Sequence, residues 1–196
     1  PELTDIAEHI LGSAQRLQKT LEKFWRYTDL VFQTRESLGS GGPPSVRLAD
    51  AHLLIRSTAK QKAQSENRGA DLDLNLDEGA VLAVDEKHFS TLLEELLDNA
   101  FKFSHQGERV SVEYKINPGG ETGSLLVRDA GRGMSKSKIE DVGGFMQFER
   151  KRYEQQGLGL GLSIVQEITR LYGGELSISS DEGKGTVVEV RLPAAR

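Results

Sequence analysis

Cysteine is absent from the 196-residue chain, which removes disulfides, thiolate zinc sites and cysteine nucleophiles together and fits a reducing compartment. Histidine is scarce too: four scattered residues argue against a His-rich metal cluster. No uninterrupted apolar run approaches the ~18 residues that a spanning helix needs, and with a mean hydropathy of −0.44 the chain reads as a soluble, cytoplasmic piece. Positive charge is not in excess. Lys and Arg number 25 against 30 Asp and Glu, a net charge of −5, which gives no electrostatic footprint for nucleic acid or an anionic membrane. The length suits one domain of ordinary size with an appendage, large enough to bury a real core. The sequence begins at Pro1 without an apolar leader, so it reads as part of a longer parent whose location stays open.

Leu3, Ile10, Leu17, Phe24 and Val31 recur every seven residues, widened by Ile6, Ala14 and Leu21, which predicts one long helix from 3 to about 36 with a seam. Such a seam wants a second helix, a dimer partner, or the face of the following domain. Gly39 to Gly42, then Pro43 and Pro44, stop the helix and mark a linker at 39–44, dividing a helix at 1–38 from a domain at 45–196. A short extended stretch at 45–47 follows, then a helix to about Glu66 with Asp50 as N-cap. Alternation over 70–76 predicts a half-buried strand, and 80–84 a short apolar one. With Asp85 as cap, Phe89, Leu92, Leu93, Leu96, Leu97 and Ala100 take helical spacing to about 103. Strands around 110–114 and 125–127, a helix at 160–172, and strands at 175–179 and 186–192 complete the order. The fold class is therefore α+β or mixed α/β, with helices on one face of a sheet.

Six of the 21 glycines precede residue 100 and fifteen lie at or after Gly107, so backbone comes close to something in the second half. Asp129-Ala130-Gly131-Arg132-Gly133 follows a strand, and Gly157-Leu158-Gly159-Leu160-Gly161 opens a helix. Such junctions let amide N–H groups face a phosphate, although they also serve simply for tight reversal. Neither cluster matches the Lys-Ser/Thr phosphate loop or the dinucleotide fingerprint. On the helix before them, Glu95 and Asn99 are four apart and Lys102 three further, so they share a side while leucines take the other. That group suits a Mg²⁺-bound polyphosphate, or else is a solvated polar face.

In this order the segments resemble the ATP-binding domain of sensor histidine kinases, within the superfamily shared with DNA gyrase B, Hsp90 and MutL. The N box is similar to Asp85 through Ser104, the first glycine box to Val127 through Met134, the F box to Gly144 through Arg150, and the second glycine box to Gly157 through Val165. The resemblance covers roughly 45–193 and implies a Bergerat-type two-layer sandwich, mixed but mostly antiparallel. It implies ATP and Mg²⁺ as cofactors. Asn99 would coordinate Mg²⁺, Lys102 would reach the phosphates, and Asp129 would accept the adenine amino group's hydrogen bond beside Thr186. Gly131 and Gly133 would shape the adenine pocket; Gly157, Gly159 and Gly161 would supply amides around the phosphates; residues 141–156 would form a lid with Arg150 at its base.

The first helix resembles the second helix of the family's dimerisation and phosphoacceptor hairpin, which implies a homodimer in the parent and a response regulator receiver domain as partner. The acceptor histidine has no counterpart here: Ile10-Leu11-Gly12 follows His9, unlike the family's acidic-Arg-Pro sequence. Glu95 departs from the Asn common in these kinases and resembles hydrolytic relatives, in which the Glu orients water. The expected function is transfer of the ATP γ-phosphoryl to a histidine, with Glu95, Asn99 and Lys102 catalytic. The alternatives are an ATPase using Glu95 to activate water, and a nucleotide-binding module without chemistry.

Overall fold

The computed structural model describes residues 2–40, 44–79, 81–135 and 160–195. Helix α1 (Glu2–Ser40) precedes α2 (Ala51–Ser65), strand β1 (Leu72–Leu76), α3 (Glu86–Phe103), β2 (Val110–Ile116), β3 (Thr122–Asp129), α4 (Leu160–Leu171), β4 (Glu175–Asp181) and β5 (Gly185–Pro193). The sheet order is β1-β2-β3-β5-β4. β1 lies parallel to β2, and every other pair is antiparallel, as a mixed, mostly antiparallel sheet requires.

Period-two patterning explains the layers. Val110, Val112 and Tyr114 on β2, Leu125 and Val127 on β3, and Val188, Val190 and Leu192 on β5 all turn into the core, while Glu113, Arg128 and Arg191 turn away. Helices α2, α3 and α4 cover that apolar face. α3 carries Phe89, Leu92, Leu93, Leu96, Leu97 and Phe101 inward, each at most 5 % exposed, and each such side chain contributes about 1.5–3 kcal/mol by leaving water. Asp85 caps α3 as expected: its side chain accepts from the Lys87 and His88 amides.

Three local expectations are corrected. Asp50 does not cap α2 with its side chain; it sits in the left-handed region at φ 55°, and its carbonyl accepts the Leu53 amide at 2.8 Å. Its neighbour Leu48 bridges Leu82 in an antiparallel pair, so tertiary pairing fixes the entry to α2. Residues 81–84 form no strand: Leu82 makes isolated bridges to Leu48 and Ala194, and Ala80 lies outside the described residues. The strand expected from 70 starts at Leu72, because Gly69–Asp71 turn as a 3-10 helix.

α1 runs through Gly39 to Ser40, two residues beyond the boundary drawn at 38. Its C-terminal half packs on α4, with Leu30 only 2 % exposed, Tyr27 against the core, and the Thr34 hydroxyl donating to the Glu167 carbonyl at 3.4 Å. The heptad seam points elsewhere: Ile10, Leu17 and Phe24 are exposed.

Candidate nucleotide site

The second half of α3 is the spine of the site. Hydrophobic burial of Leu96, Leu97 and Phe101 fixes the helix on the sheet, and residues on its remaining side meet two other elements. Glu95 is buried at 4 % exposure. Its carboxylate Oε2 lies 2.5 Å from Lys23 Nζ of α1. A methyl group placed on Gly161, in the first turn of α4, would meet that same oxygen at 2.8 Å and the Asn99 carboxamide at 3.4 Å. Glycine at 161 therefore lets α4 approach the Glu95 and Asn99 heads. Asn99 Nδ2 is buried and has no hydrogen-bond partner, an uncommon cost for a folded chain. A free N–H donor beside a carboxylate and a glycine-opened helix start fits an acceptor such as a phosphate oxygen, and the Oδ1 of the same carboxamide is the kind of oxygen ligand that Mg²⁺ takes.

One turn later, Lys102 is exposed, with its ammonium 5.3 Å from the Phe103 ring centroid. It has no carboxylate partner among the described residues, so its charge is available to an anion. The Arg132 guanidinium covers the same ring at 4.5 Å, and the Arg132 amide donates to the Phe103 carbonyl at 3.1 Å. This joins the end of α3 to the loop after β3. Gly131 makes the junction possible, because a Cβ there would run into the Phe103 carbonyl; Gly133, at φ 65°, abuts the Asp181 carbonyl in the same way.

Asp129 ends β3 with 7 % exposure. The Gly131 amide donates to its Oδ1 at 3.0 Å, and Thr186 is its direct neighbour on β5. Burial pushes the Asp129 carboxyl up from the usual carboxylate range, and the Gly131 and Thr186 amides pull it partly back. A buried carboxylate of this kind, with acceptor capacity left, is suited to an amino group on a flat ring.

The structure thus places Glu95, Asn99 and Gly161 in one cluster, and Asp129, Gly131, Gly133 and Thr186 in a second, with Lys102 on the helix that links them. Arg150, Gly157 and Gly159 lie outside the described residues, as do the F box and the expected lid. Sequence reasoning missed three residues. Lys23 pairs with Glu95 across 72 positions. Ser180 accepts the Met134 amide, donates to the Gly185 carbonyl and meets the Thr186 hydroxyl at 3.0 Å. Arg68, 7 % exposed, donates to the Phe101, Ser104 and Glu108 carbonyls. Nothing in a polar stretch such as Ser65 to Gly69 distinguishes a buried arginine from a solvated one.

The family model described as "Histidine kinase-, DNA gyrase B-, and HSP90-like ATPase" matches residues 84–196. The chain belongs to that family. As a histidine kinase-type ATPase domain it takes ATP, and its mixed five-stranded sheet is the family's fold. Among curated relatives, an uncharacterized sensor-like histidine kinase, R01002 of Rhizobium meliloti (strain 1021), is 39 % identical over 114 residues, which is 56 % of this chain and 21 % of that one. The methanogenesis regulatory histidine kinase FilI of Methanothrix harundinacea (strain 6Ac) is 35 % identical over 136 residues, 69 % of this chain and 15 % of that one. This chain therefore spans a quarter or less of such relatives. Of solved structures, the mycobacterial sensor histidine kinase MprB aligns with a TM-score of 0.61 at 24 % identity, covering 77 % of this chain and 98 % of that one. Full-length ShkA, solved with AMPPNP, aligns with 0.72 at 18 % identity over 100 % of this chain and 39 % of that one. No helix among the described residues is long and apolar enough to cross a membrane.

Proposed function

We propose that this chain is the ATP-binding catalytic part of a two-component sensor histidine kinase, transferring the γ-phosphoryl of ATP to a histidine for relay to an aspartate on a response regulator. The observation that carries the reading is the buried, unpartnered Asn99 Nδ2, a donor left free for a phosphate oxygen beside Gly161 and Glu95, on the same helix that leads to the Asp129 pocket. Asn99 would hold Mg²⁺, which supplies neutralisation of phosphate charge when bound.

The other residues act by position and charge. Asp129 accepts a hydrogen bond from the adenine amino group, with Thr186 beside it, and Gly131 and Gly133 shape the pocket by letting the Phe103 and Asp181 backbone pack close. Lys102 brings a point charge to the phosphates, and Gly161 contributes close backbone. Arg150, Gly157 and Gly159 are assigned to the same phosphates. Glu95 takes the proton from the attacking imidazole as the phosphoryl group moves onto its nitrogen. The helix, carried on to Ser40, the linker that follows it to 44 and the catalytic domain at 45–196 lie in the cytoplasm. The exposed seam of α1 supports a homodimer in the parent.

Incubation of the chain with γ-labelled ATP and a separately supplied acceptor hairpin tests the reading. Acid-labile phosphate appears on the hairpin histidine, and Asn99→Ala abolishes it. Steady phosphate release with no labelled hairpin points instead to the ATPase in which Glu95 activates water. Tight ATP binding with neither product leaves a binding module.

A further inference from the structure

We propose that Lys23 is a positioning residue that sets helix α1 against the nucleotide site, so that docking of α1 and loading of Mg-ATP oppose each other through Glu95. The inference rests on the nucleotide reading above and adds a coupling to it.

The Glu95 carboxylate is buried, with a side-chain exposure of 5 %, and Lys23 is its cationic partner. That cation comes from neither the sheet nor the helices packed on it. It comes from α1, whose hold on the domain further along the helix includes Tyr27, Leu30 and Thr34. Lys23 stands about two helical turns before Leu30. Upstream of it, the side-chain bonds from Arg16 to Ser13 and from Gln18 to Glu22 stay within α1. Lys23 is thus the outermost described side-chain tie between α1 and the site, and it ends on the carboxylate that a Cβ at Gly161 would meet, beside Asn99.

Two cations compete for that corner. A metal held at Asn99 would bring a second positive charge to the corner where the Lys23 ammonium, 37 % exposed, meets the buried Glu95 carboxylate, and like charges repel. The Glu95 carboxylate cannot serve both fully. Loading the site therefore weakens the tie, and an intact tie lowers affinity for the loaded nucleotide by the same factor, because coupling between two binding events is reciprocal. α1 gains a reason to leave the domain when ATP arrives.

The full chain lacks cysteine, so Lys19→Cys and Arg170→Cys, both at exposed positions, carry a spin-label pair spanning α1 and α4. Without nucleotide the distance distribution is narrow, and Mg²⁺ with a non-hydrolysable ATP analogue lengthens and broadens it. Lys23→Gln gives the long, broad distribution before any nucleotide and binds the analogue about tenfold tighter by calorimetry. Lys23→Arg restores the narrow distribution. Should Lys23→Gln fail to fold, the Lys23→Gln/Glu95→Gln double variant removes both charges and gives the same broad distribution. A narrow distribution in whichever of these two folds, or wild-type affinity in Lys23→Gln, overturns the coupling alone. Absence of binding to the folded wild-type chain overturns the nucleotide reading, and the coupling with it.

Discussion

The Arg68 guanidinium holds Phe101 twice: Nη1 donates to its backbone carbonyl at 3.1 Å, and the guanidinium carbon lies 5.1 Å from the centre of its ring. The same group donates to the Ser104 carbonyl and hydroxyl and to the Glu108 carbonyl, and pairs with Asp71 at 2.7 Å. Of the last carbonyls of α3, which no helical amide can reach, Arg68 thus satisfies that of Phe101, while the Ser104 hydroxyl donates to that of Ala100 at 2.6 Å and the Arg132 amide to that of Phe103 at 3.1 Å.

Removing that node leaves buried carbonyls unpaired. Arg68→Leu is expected to cost on the order of 3 kcal/mol in urea unfolding, with Lys102 and Phe103 losing their fixed placement. Hydrogen exchange at the Phe101 to Ser104 amides is the local check, and protection equal to wild type would refute the assignment. Arg68 also holds the Asp71 carboxyl below the ordinary carboxylate range, helped by the Gly107 amide. That share of stability is present above the unfolded carboxyl's pKa and fades as pH falls through the lowered one.

Asn99→Ala separates function from stability. Its Nδ2 is buried without a partner, so truncation relieves a desolvation cost of about 1–3 kcal/mol that offsets the cavity it leaves. Thermal unfolding of the variant should match or exceed wild type. Calorimetry with ATP should show the Mg²⁺-dependent part of the affinity gone. A destabilised variant that keeps that dependence would mark Asn99 as structural.

Asp129 carries a pH signature. Since burial raises its carboxyl, its contribution to folding is present at low pH and lost as pH rises through the raised value. Adenine recognition runs the other way, because only the ionised group accepts freely. Nucleotide affinity should therefore begin to fall on acidification at a higher pH than an ordinary aspartate would give. Asp129→Asn should flatten this profile and weaken binding by roughly ten- to a hundredfold; an unchanged profile would exclude the contact.

His88 supplies a second, independent pH effect. Its Nδ1 lies 2.7 Å from the Tyr172 hydroxyl, whose proton burial retains up to about 12. The Asp85 amide also donates to that hydroxyl, and the tautomer of His88 sets which of the two groups donates between them. Burial, the leading cause, lowers the histidine. Its stabilising share is present above the ordinary histidine value and disappears as pH falls through the lowered one. Melting temperatures at pH 7.5 and 5.5 should diverge less in His88→Gln than in wild type.

Gly161→Ala tests the close approach of α4. Alanine is the better helix former by about 0.5–1 kcal/mol, so the fold should tolerate it. The new methyl meets Glu95 Oε2 at 2.8 Å and the Asn99 carboxamide at 3.4 Å, so the carboxylate, the end of a movable side chain, must shift. Weakened Mg-nucleotide binding with unimpaired unfolding is the expected pair of results.

What the sequence made legible was local or periodic. Asp85 could be assigned because a cap and the amides it satisfies lie within three residues. β2, β3 and β5 followed from alternation that a one-sided sheet imposes, and Glu95 and Asn99 from helical spacing. Asp50 misled because its left-handed backbone answers to the Leu48 to Leu82 bridge, a contact between segments far apart in the chain. The seven-residue seam of α1 was visible, yet Leu30, the buried residue that holds the helix to α4, is off that seam. Lys23 and Arg68 looked like ordinary surface charge, and only the assembled fold shows their partners.

At 100° per residue, Leu30 and Trp25 on α1 project about 140° apart; one is buried on α4 and the other is 73 % exposed. The helix is thus a shaft gripped on one flank and open on the other. Any torque applied along it turns both flanks together, so a twist of a few tens of degrees at its far end would shear Lys23 past Glu95 without the shaft bending at all.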